Sequence, residues 1–408
     1  MKNFSGAALL LAPLLSAAAA PASAQIDPEH RSLMQLGFDH ALDGRGPLAG
    51  YAFYYLNAPR RLSPRQTLRL ALAPIYADAE LGIKEALGAR GDLGLGLAGG
   101  ALADSHSEIR QGRYRRGESF QGNGGRAAVA LYQDIPVPGP APLAGVLRAE
   151  VHHARFAGEK GTDPAFVAPK ALDEGCLRTG FRLGGQEPVL RPNLAGELSA
   201  WYEGRLRAAP GAYGFADDRR IEDDTRLFWG RALLAYNRPS SQARFLANLV
   251  GGGSVRPDRF SAYRLGGNLP LAAEFPLSLP GYYHEEVSAG RFVLLGGSYI
   301  VPLSRDKTTW TGALTAASAL VDYAPGHGQR GKTHTGVGLG AAYLSRSKTW
   351  QVLTAYGYGL NAARGHGNGG HTLGLLVQYD FLTVKSPRLQ PSRSSEGLRH
   401  LRPAGRRR

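Results

Sequence analysis

Residues 372–381 read Thr-Leu-Gly-Leu-Leu-Val-Gln-Tyr-Asp-Phe, and this stretch constrains the fold most. Leu373, Leu375, Val377, Tyr379 and Phe381 fall on one side of an extended chain. Thr372, Gly374, Gln378 and Asp380 fall on the other, broken only by Leu376. Side chains alternate across a strand, so the segment predicts a strand with one apolar and one polar face. At the other end, Lys2, an apolar run over 7–20 and Ala22-Ser23-Ala24 make the pattern of a cleavable export signal. An exported chain carrying such a strand, closed by an aromatic, predicts an all-β transmembrane barrel of the bacterial outer membrane. After Ala24 no run of about 18 apolar residues offers a membrane-spanning helix. An open sheet edge cannot sit in lipid, so the sheet must close on itself. The mean hydropathy of -0.23 agrees, because half of each barrel strand faces a wet lumen.

Cys176 is the single cysteine, which excludes an internal disulfide. The net charge is +15, and residues 382–408 hold much of it, with Lys385 and seven arginines against Glu396 alone. A pI near 10.0 fits nucleic acid by charge, but an exported chain rarely meets one, so no nucleic-acid partner is expected. The tail combines Ser, Pro and Arg with few large apolar groups, a composition that favours disorder. The expected organisation is a signal at 1–24, a short lead at 25–49, a barrel at 50–381 and a basic tail at 382–408.

Alternating segments recur at 50–56, 67–75, 92–101, 126–133, 145–156, 175–184, 194–207, 225–237, 243–250, 291–303, 309–321, 335–345, 350–360 and 371–381. With up to two more strands in 76–91, the barrel has about 14–16 strands. Short links at 238–240, 305–308 and 346–348 alternate with long segments at 102–124, 157–173, 208–223, 253–288, 323–334 and 361–370. Outer-membrane barrels alternate short periplasmic turns with long outer loops in this way. Tyr202, Phe228, Tyr236, Trp310, Trp350, Tyr356, Tyr358 and Tyr379 stand toward strand ends, as interfacial girdles do.

Residues 258–303 contain Asp258-Arg-Phe260, Arg264-Leu-Gly-Gly267, Pro280-Gly-Tyr282 and Ser298-Tyr-Ile-Val-Pro-Leu303. This order resembles the surface-antigen superfamily of outer-membrane barrels, the BamA/TamA-type insertases and two-partner secretion pores. The resemblance implies 16 strands and a loop carrying an Arg-Gly-Tyr turn that reaches into the barrel; with only residues 25–49 before the first expected strand, the periplasmic repeats typical of the insertases are expected to be absent. The family's turn arginine, which pairs with a carboxylate, is Pro280 in this chain, and the glutamate of the following strand is Ser298. Arg264 or Glu274 is the expected substitute anchor. Gly266, Gly267, Gly281 and Tyr282 are candidate loop residues.

The 253–288 loop would expose Phe260, Tyr263, Leu265, Leu269, Phe275, Leu279, Tyr282 and Tyr283 if it stood in water. Loops this long without structure of their own are uncommon, and burial of those aromatics favours packing. The loop is therefore expected to fold into the lumen with Gly281-Tyr282 near its tip. Arg148, Arg178, Arg182, Arg205 and Arg231 should face the lumen against Glu150, Glu197 and Glu203, either as an anion-tinted wall or as ordinary cross-strand pairing.

Catalytic patterns are weak. No Gly-x-Ser-x-Gly elbow is present. His152 and His153 are neighbours on a strand and point to opposite faces. His284-Glu-Glu286 lacks the helical His-Glu-x-x-His spacing. His327, His334, His366 and His371 lie near one rim, where solvated loop histidines are the plain reading. No catalytic residue, metal or cofactor is assigned. The expected function is transport or insertion at the outer membrane, with lipid as partner and barrel-assembly machinery during insertion. The alternative is a porin-like channel for small anionic solutes.

Overall fold

A computed structural model describes residues 26–382 except 28, 48, 186–192, 209, 270–274, 330 and 366. The expected signal, the basic tail from 383 and Glu274 lie outside the described residues.

Sixteen long strands run in chain order: β1 Arg31–Ala41, β2 Ala49–Pro59, β3 Gln66–Ala73, β4 Tyr76–Ile83, β5 Gly91–Gly100, β6 Phe120–Ile135, β7 Leu143–Gly158 and β8 Ala171–Gly184, then β9 Leu194–Ala208, β10 Asp224–Asn237, β11 Arg244–Val255, β12 Val287–Pro302, β13 Trp310–Tyr323, β14 Thr333–Leu344, β15 Trp350–Arg364 and β16 Gly367–Asp380. Each pairs antiparallel with the next, and β1 closes on β16 from Leu33–Asp380 to Ala41–Thr372. The chain is a closed antiparallel transmembrane barrel. The face carrying the start of β1 and the end of β16 is called terminal here, and the opposite face distal.

Three features differ from the sequence reading. β1 lies inside the segment expected to be a lead. Its alternation of Met34, Leu36 and Phe38 with Gln35, Gly37 and Asp39 is that of a barrel strand, and it supplies the partner that β16 needs. The stretch 76–91 holds one strand, β4, so the count reaches sixteen through β1 and β4. Residues 361–370 are mostly hairpin: β15 continues to Arg364 and β16 begins at Gly367, with an irregularity between Gly359 and Ala363.

The outer wall is apolar. Leu97, Val151, Leu206, Leu339 and Leu373 point away from the lumen, as lipid-facing positions do. An aromatic belt rings the terminal edge, with Phe245 on Tyr299, Trp310 on Tyr343 and Trp350 on Tyr379 at 4.6–4.9 Å between centroids. Tyr54 and Tyr379 flank Phe381. Inside, Leu376 breaks the polar face of β16 because it packs with Leu269, Leu353, Ala342 and Ala49. Leu269 belongs to the β11–β12 loop, so the irregular residue of the closing strand is a seat for that loop.

Candidate functional site

The β11–β12 loop turns into the lumen, and its described residues reach the wall on two sides. Leu269 reaches the wall at Leu376, level with Gly37 of β1. On the far wall Phe275 packs edge-on against Trp201 of β9 and Trp229 of β10, at 5.3 and 5.4 Å. Those strands lie nearly opposite β16 around a sixteen-strand ring, so Leu269 and Phe275 touch nearly opposite walls.

Glycines set the crossing. Gly266 N donates to Leu277 O at 3.0 Å, Gly267 N to Tyr282 O at 3.2 Å and Leu279 N to Gly267 O at 3.1 Å, tying the two limbs together. Gly266 and Gly267 have φ of 144° and 84°, a region that glycine adopts without cost. Gly281, at φ 80°, lies so close to β15 that a Cβ would collide with the Gly359 amide. The wall makes matching room: a Cβ at Gly336, Gly357 or Gly359 would strike Pro280, Asn268 or Tyr282.

Polar contacts hold the docked turn. Asp39 of β1 accepts from Asn268 N at 2.5 Å, and Thr372 Oγ1 accepts from Gly281 N at 3.1 Å. Arg364 donates to Gly281 O at 3.1 Å and to Glu286 at 2.8 Å, and its guanidinium lies 3.9 Å from the Tyr283 ring centroid. Tyr282 is fully buried, in one cluster with Leu265, Leu279 and Phe292.

The expected tip is displaced. Gly281 sits level with Thr372, whose partner Ala41 ends β1 at the distal rim, whereas Leu269 lies four residues deeper along the wall. Leu269, packed on Leu376, therefore lies nearer the deep end than Gly281-Tyr282. Arg264 does not anchor the loop to the barrel wall either. It donates to His106 at 2.9 Å and to Ser107 O at 3.4 Å, both in the β5–β6 loop. The anchors are Asp39, Glu286 and Arg364. Asp39 is masked in sequence by lying in the apparent lead, and Arg364 by an apparent loop; an arginine following the Gly357-x-Gly359 pattern is the available signal.

Arg264 belongs instead to a cap over the distal mouth. Phe120, Phe166, Tyr213 and Ile221 form its apolar centre, with Phe260 against them. Beside it, Glu108 is fully buried and accepts from His106 at 2.9 Å and Arg259 at 3.2 Å. Arg110 and Arg219 both pair with Glu118. Burial lowers His106 to about 4 and His327 to about 3; burial pushes Glu108 up, but its hydrogen bond with His106 and the nearby Arg259 guanidinium hold it well below the carboxylate range. Asp258, at the loop's start, accepts from Arg207 at 2.5 Å and from Ser261 N at 2.9 Å.

The expected lumen charges line the wall as ion pairs. Arg178 and Arg205 share Glu203 at 2.6 and 2.7 Å. Arg231 meets Glu197 at 3.0 Å, and Arg148 meets Glu150 at 3.2 Å. Arg182 lies in the row Arg182–Ser199–Arg231, within the field of Glu197. The wall is thus largely self-neutralised. His152 faces inward to Asp104 at 3.1 Å and His153 outward to Asp173 at 2.6 Å. His327, His334 and His371 stay apart, against Glu108, Tyr323 and Tyr356 respectively; His366 lies outside the described residues. Among the described residues no cluster of three or more His, Cys, Asp or Glu could hold a metal ion.

At the terminal mouth the segment before β1 also turns inward. Ile26 packs with Ala130 and Tyr132, close enough to Gly82 that a Cβ there would stand 2.6 Å from its side chain. Asn57 holds it by donating to Asp27 O at 3.0 Å.

No family model and no curated protein matches this chain in sequence. Solved structures match in shape. CdiB from Acinetobacter baumannii gives a TM-score of 0.58 at 11% identity, over 88% of this chain and 61% of that one. CdiB from Escherichia coli gives 0.55 at 12% identity, over 87% and 64%. BamA from Haemophilus ducreyi lacking POTRA domains 1-3 gives 0.53 at 10% identity, over 86% and 71%. The shared feature is the barrel. The chain spans less than two thirds of either CdiB structure, and identities this low carry the fold alone.

Proposed function

We propose that this protein is an outer-membrane barrel of the BamA-type superfamily that works in transport or insertion as a closed, loop-gated pore. The observation that carries the reading is the loop stretched from Leu376 to the Trp201–Trp229 pair. A porin-like channel needs a clear bore. Here Leu269 and Phe275 of one loop reach nearly opposite walls of the bore. The solved BamA and CdiB barrels support the reading through their fold, and the motifs at 258–303 support it through their order. With the termini facing the periplasm, the cap and loop would face outward, and the partners would be membrane lipid and the assembly machinery.

The test is single-channel recording in planar bilayers. The full chain should give small, flickering events, and Phe275→Ala with Leu269→Ala should convert them to larger, steadier ones. Large steady steps from the unaltered chain would instead establish the porin-like alternative.

A further inference from the structure

The turns after β12 and β14 repeat one sequence. Ser304-Arg-Asp-Lys-Thr-Thr-Trp310 and Ser345-Arg-Ser-Lys-Thr-Trp350 share a serine, an arginine, a lysine two residues on and a tryptophan that opens the next strand. The backbone repeats as well. Lys307 N donates to Ser304 O at 2.9 Å and Lys348 N to Ser345 O at 2.8 Å. The serine hydroxyls accept from Trp310 N at 3.2 Å and from Trp350 N at 3.0 Å. Both lysines are left-handed, with φ of 57° and 61°. Glycine and asparagine suit that conformation best, so turn geometry gives no reason for a lysine at either place.

Both turns lie on the terminal rim, where the exposed charge is nearly all of one sign. Arg305, Lys307, Arg346 and Lys348 are exposed, as is Arg238 in the preceding terminal turn. Lys307 Nζ donates to Ser240 O at 3.4 Å, which joins that turn to the next. None of the five cations pairs with a carboxylate among the described residues. The acids beside them are engaged by backbone: Asp306 accepts from Thr308 N and Thr309 N at 3.1 Å, and Asp380 from Leu382 N at 2.8 Å. Past β16 and β1 the rim continues with exposed Arg60 and Arg61 in the β2–β3 turn.

The aromatic belt fixes the depth of this patch. Trp310 on Tyr343 and Trp350 on Tyr379 stand at the hydrocarbon–water boundary. The cations of the two repeated turns precede those tryptophans by two to five residues, which puts their flexible side chains among headgroups. The basic segment 382–408 follows β16, which ends on this rim, and carries the same sign. Neither it nor a second copy of the rim complements the patch.

We infer that this sector of the terminal rim binds anionic phospholipid headgroups of the leaflet it faces, with the arginines and lysines of the two repeated turns on their phosphates. Charge-assisted contacts to phosphate are strong, and each basic residue at an anionic bilayer surface adds to the attraction. The inference rests on the barrel and its belt and stands apart from the gating reading.

The tryptophans supply the readout. Trp310 and Trp350 lie on the belt, whereas Trp201 and Trp229 pack with Phe275 inside the barrel and give a constant background. The full chain is placed in phosphatidylcholine bilayers holding equal fractions of acyl-brominated phosphatidylglycerol or acyl-brominated phosphatidylcholine, and fluorescence quenching is compared. Wild type should show phosphatidylglycerol enriched roughly threefold or more near the belt, with the enrichment lost at high salt. Arg305→Gln, Lys307→Gln, Arg346→Gln and Lys348→Gln together should make the two lipids quench alike while the basic tail is still present. Lys307→Gly with Lys348→Gly relaxes both turns and should remove about half of the enrichment, which keeps the test decisive if the fourfold variant inserts poorly. Equal quenching by the two lipids in wild type would overturn the inference. So would an enrichment that survives in both variants, which would assign it to the tail.

Discussion

Arg364 donates to both carboxylate oxygens of Glu286, at 2.8 and 3.1 Å, and neither side chain reaches solvent. The arginine stands on the barrel wall and the carboxylate on the loop side. In the superfamily that the motif resembles, the loop turn supplies the arginine. Here Pro280 stands at the corresponding place in the motif, and the wall supplies the arginine instead. The irregularity between Gly359 and Ala363 lets β15 aim Arg364 inward, a re-aiming that bulges commonly provide.

Removing Arg364 should therefore loosen the loop before it loosens the barrel. Arg364→Ala leaves Glu286 buried without a countercharge, a cost of about 3–5 kcal/mol. Replacing both, as Arg364→Met with Glu286→Leu, should recover much of it. Urea titrations followed by maleimide labelling of a cysteine at Tyr282, in a Cys176→Ser background, measure both at the loop. Equal midpoints for wild type and Arg364→Ala would contradict the assigned anchor.

Gly281 reports on gating. A side chain there meets an unfavourable φ and the backbone of β15 together, and the φ alone costs about 1–3 kcal/mol. Gly281→Val should release the turn while the sixteen-strand wall stays paired. A cysteine at Tyr282, placed in a Cys176→Ser background, should then react faster with a bulky maleimide. An unchanged labelling rate would mean that the turn is not held by this contact.

The closing strand separates lipid-facing from loop-facing positions. Val377→Arg should cost ~2–4 kcal/mol if Val377 lies near the bilayer midplane. Leu376→Ala, one residue away, empties a packed site at about 2–5 kcal/mol, and its effect should appear in loop protection. Hydrogen exchange distinguishes the two. The assignment fails if Val377→Arg folds into membranes at wild-type levels.

Acid should open the cap. His106 and His327 are held neutral by burial, with values of about 4 and 3 against 6.5 when exposed. The opened cap therefore binds more protons than the closed one between pH 6.5 and about 3. Closure is favoured above pH 6.5, and that advantage falls by about 1.4 kcal/mol per pH unit for each histidine across its window. Glu108, lowered in the closed cap, shifts stability in the same direction at the acid end. Protection factors over 102–119, referred to the intrinsic exchange rate at each pH, should fall from pH 7 to pH 4 while those of the β-strands stay constant. A flat profile would remove these histidines from the cap's energetics.

The barrel was legible in local sequence because lipid and lumen impose a period of two on every strand. β16 announced itself, as did the Arg178–Glu203 and Arg231–Glu197 faces and the outward aromatics at Trp350 and Tyr379. The loop's inward fold was legible too, since residues such as Tyr282 and Leu265 could not remain in water. Partner choice was not legible. Leu376 looked like a flaw in an alternating strand until Leu269 was set against it, and Arg264 looked like a wall anchor until His106 claimed it. Glu286 and Arg364 are 78 residues apart, and Asp39 is 229 residues from Asn268. Alternation is written by the solvent on each side of one strand, so the chain alone determined the wall. Pairing depends on which strands curvature and closure bring face to face, and that only the tertiary structure decided.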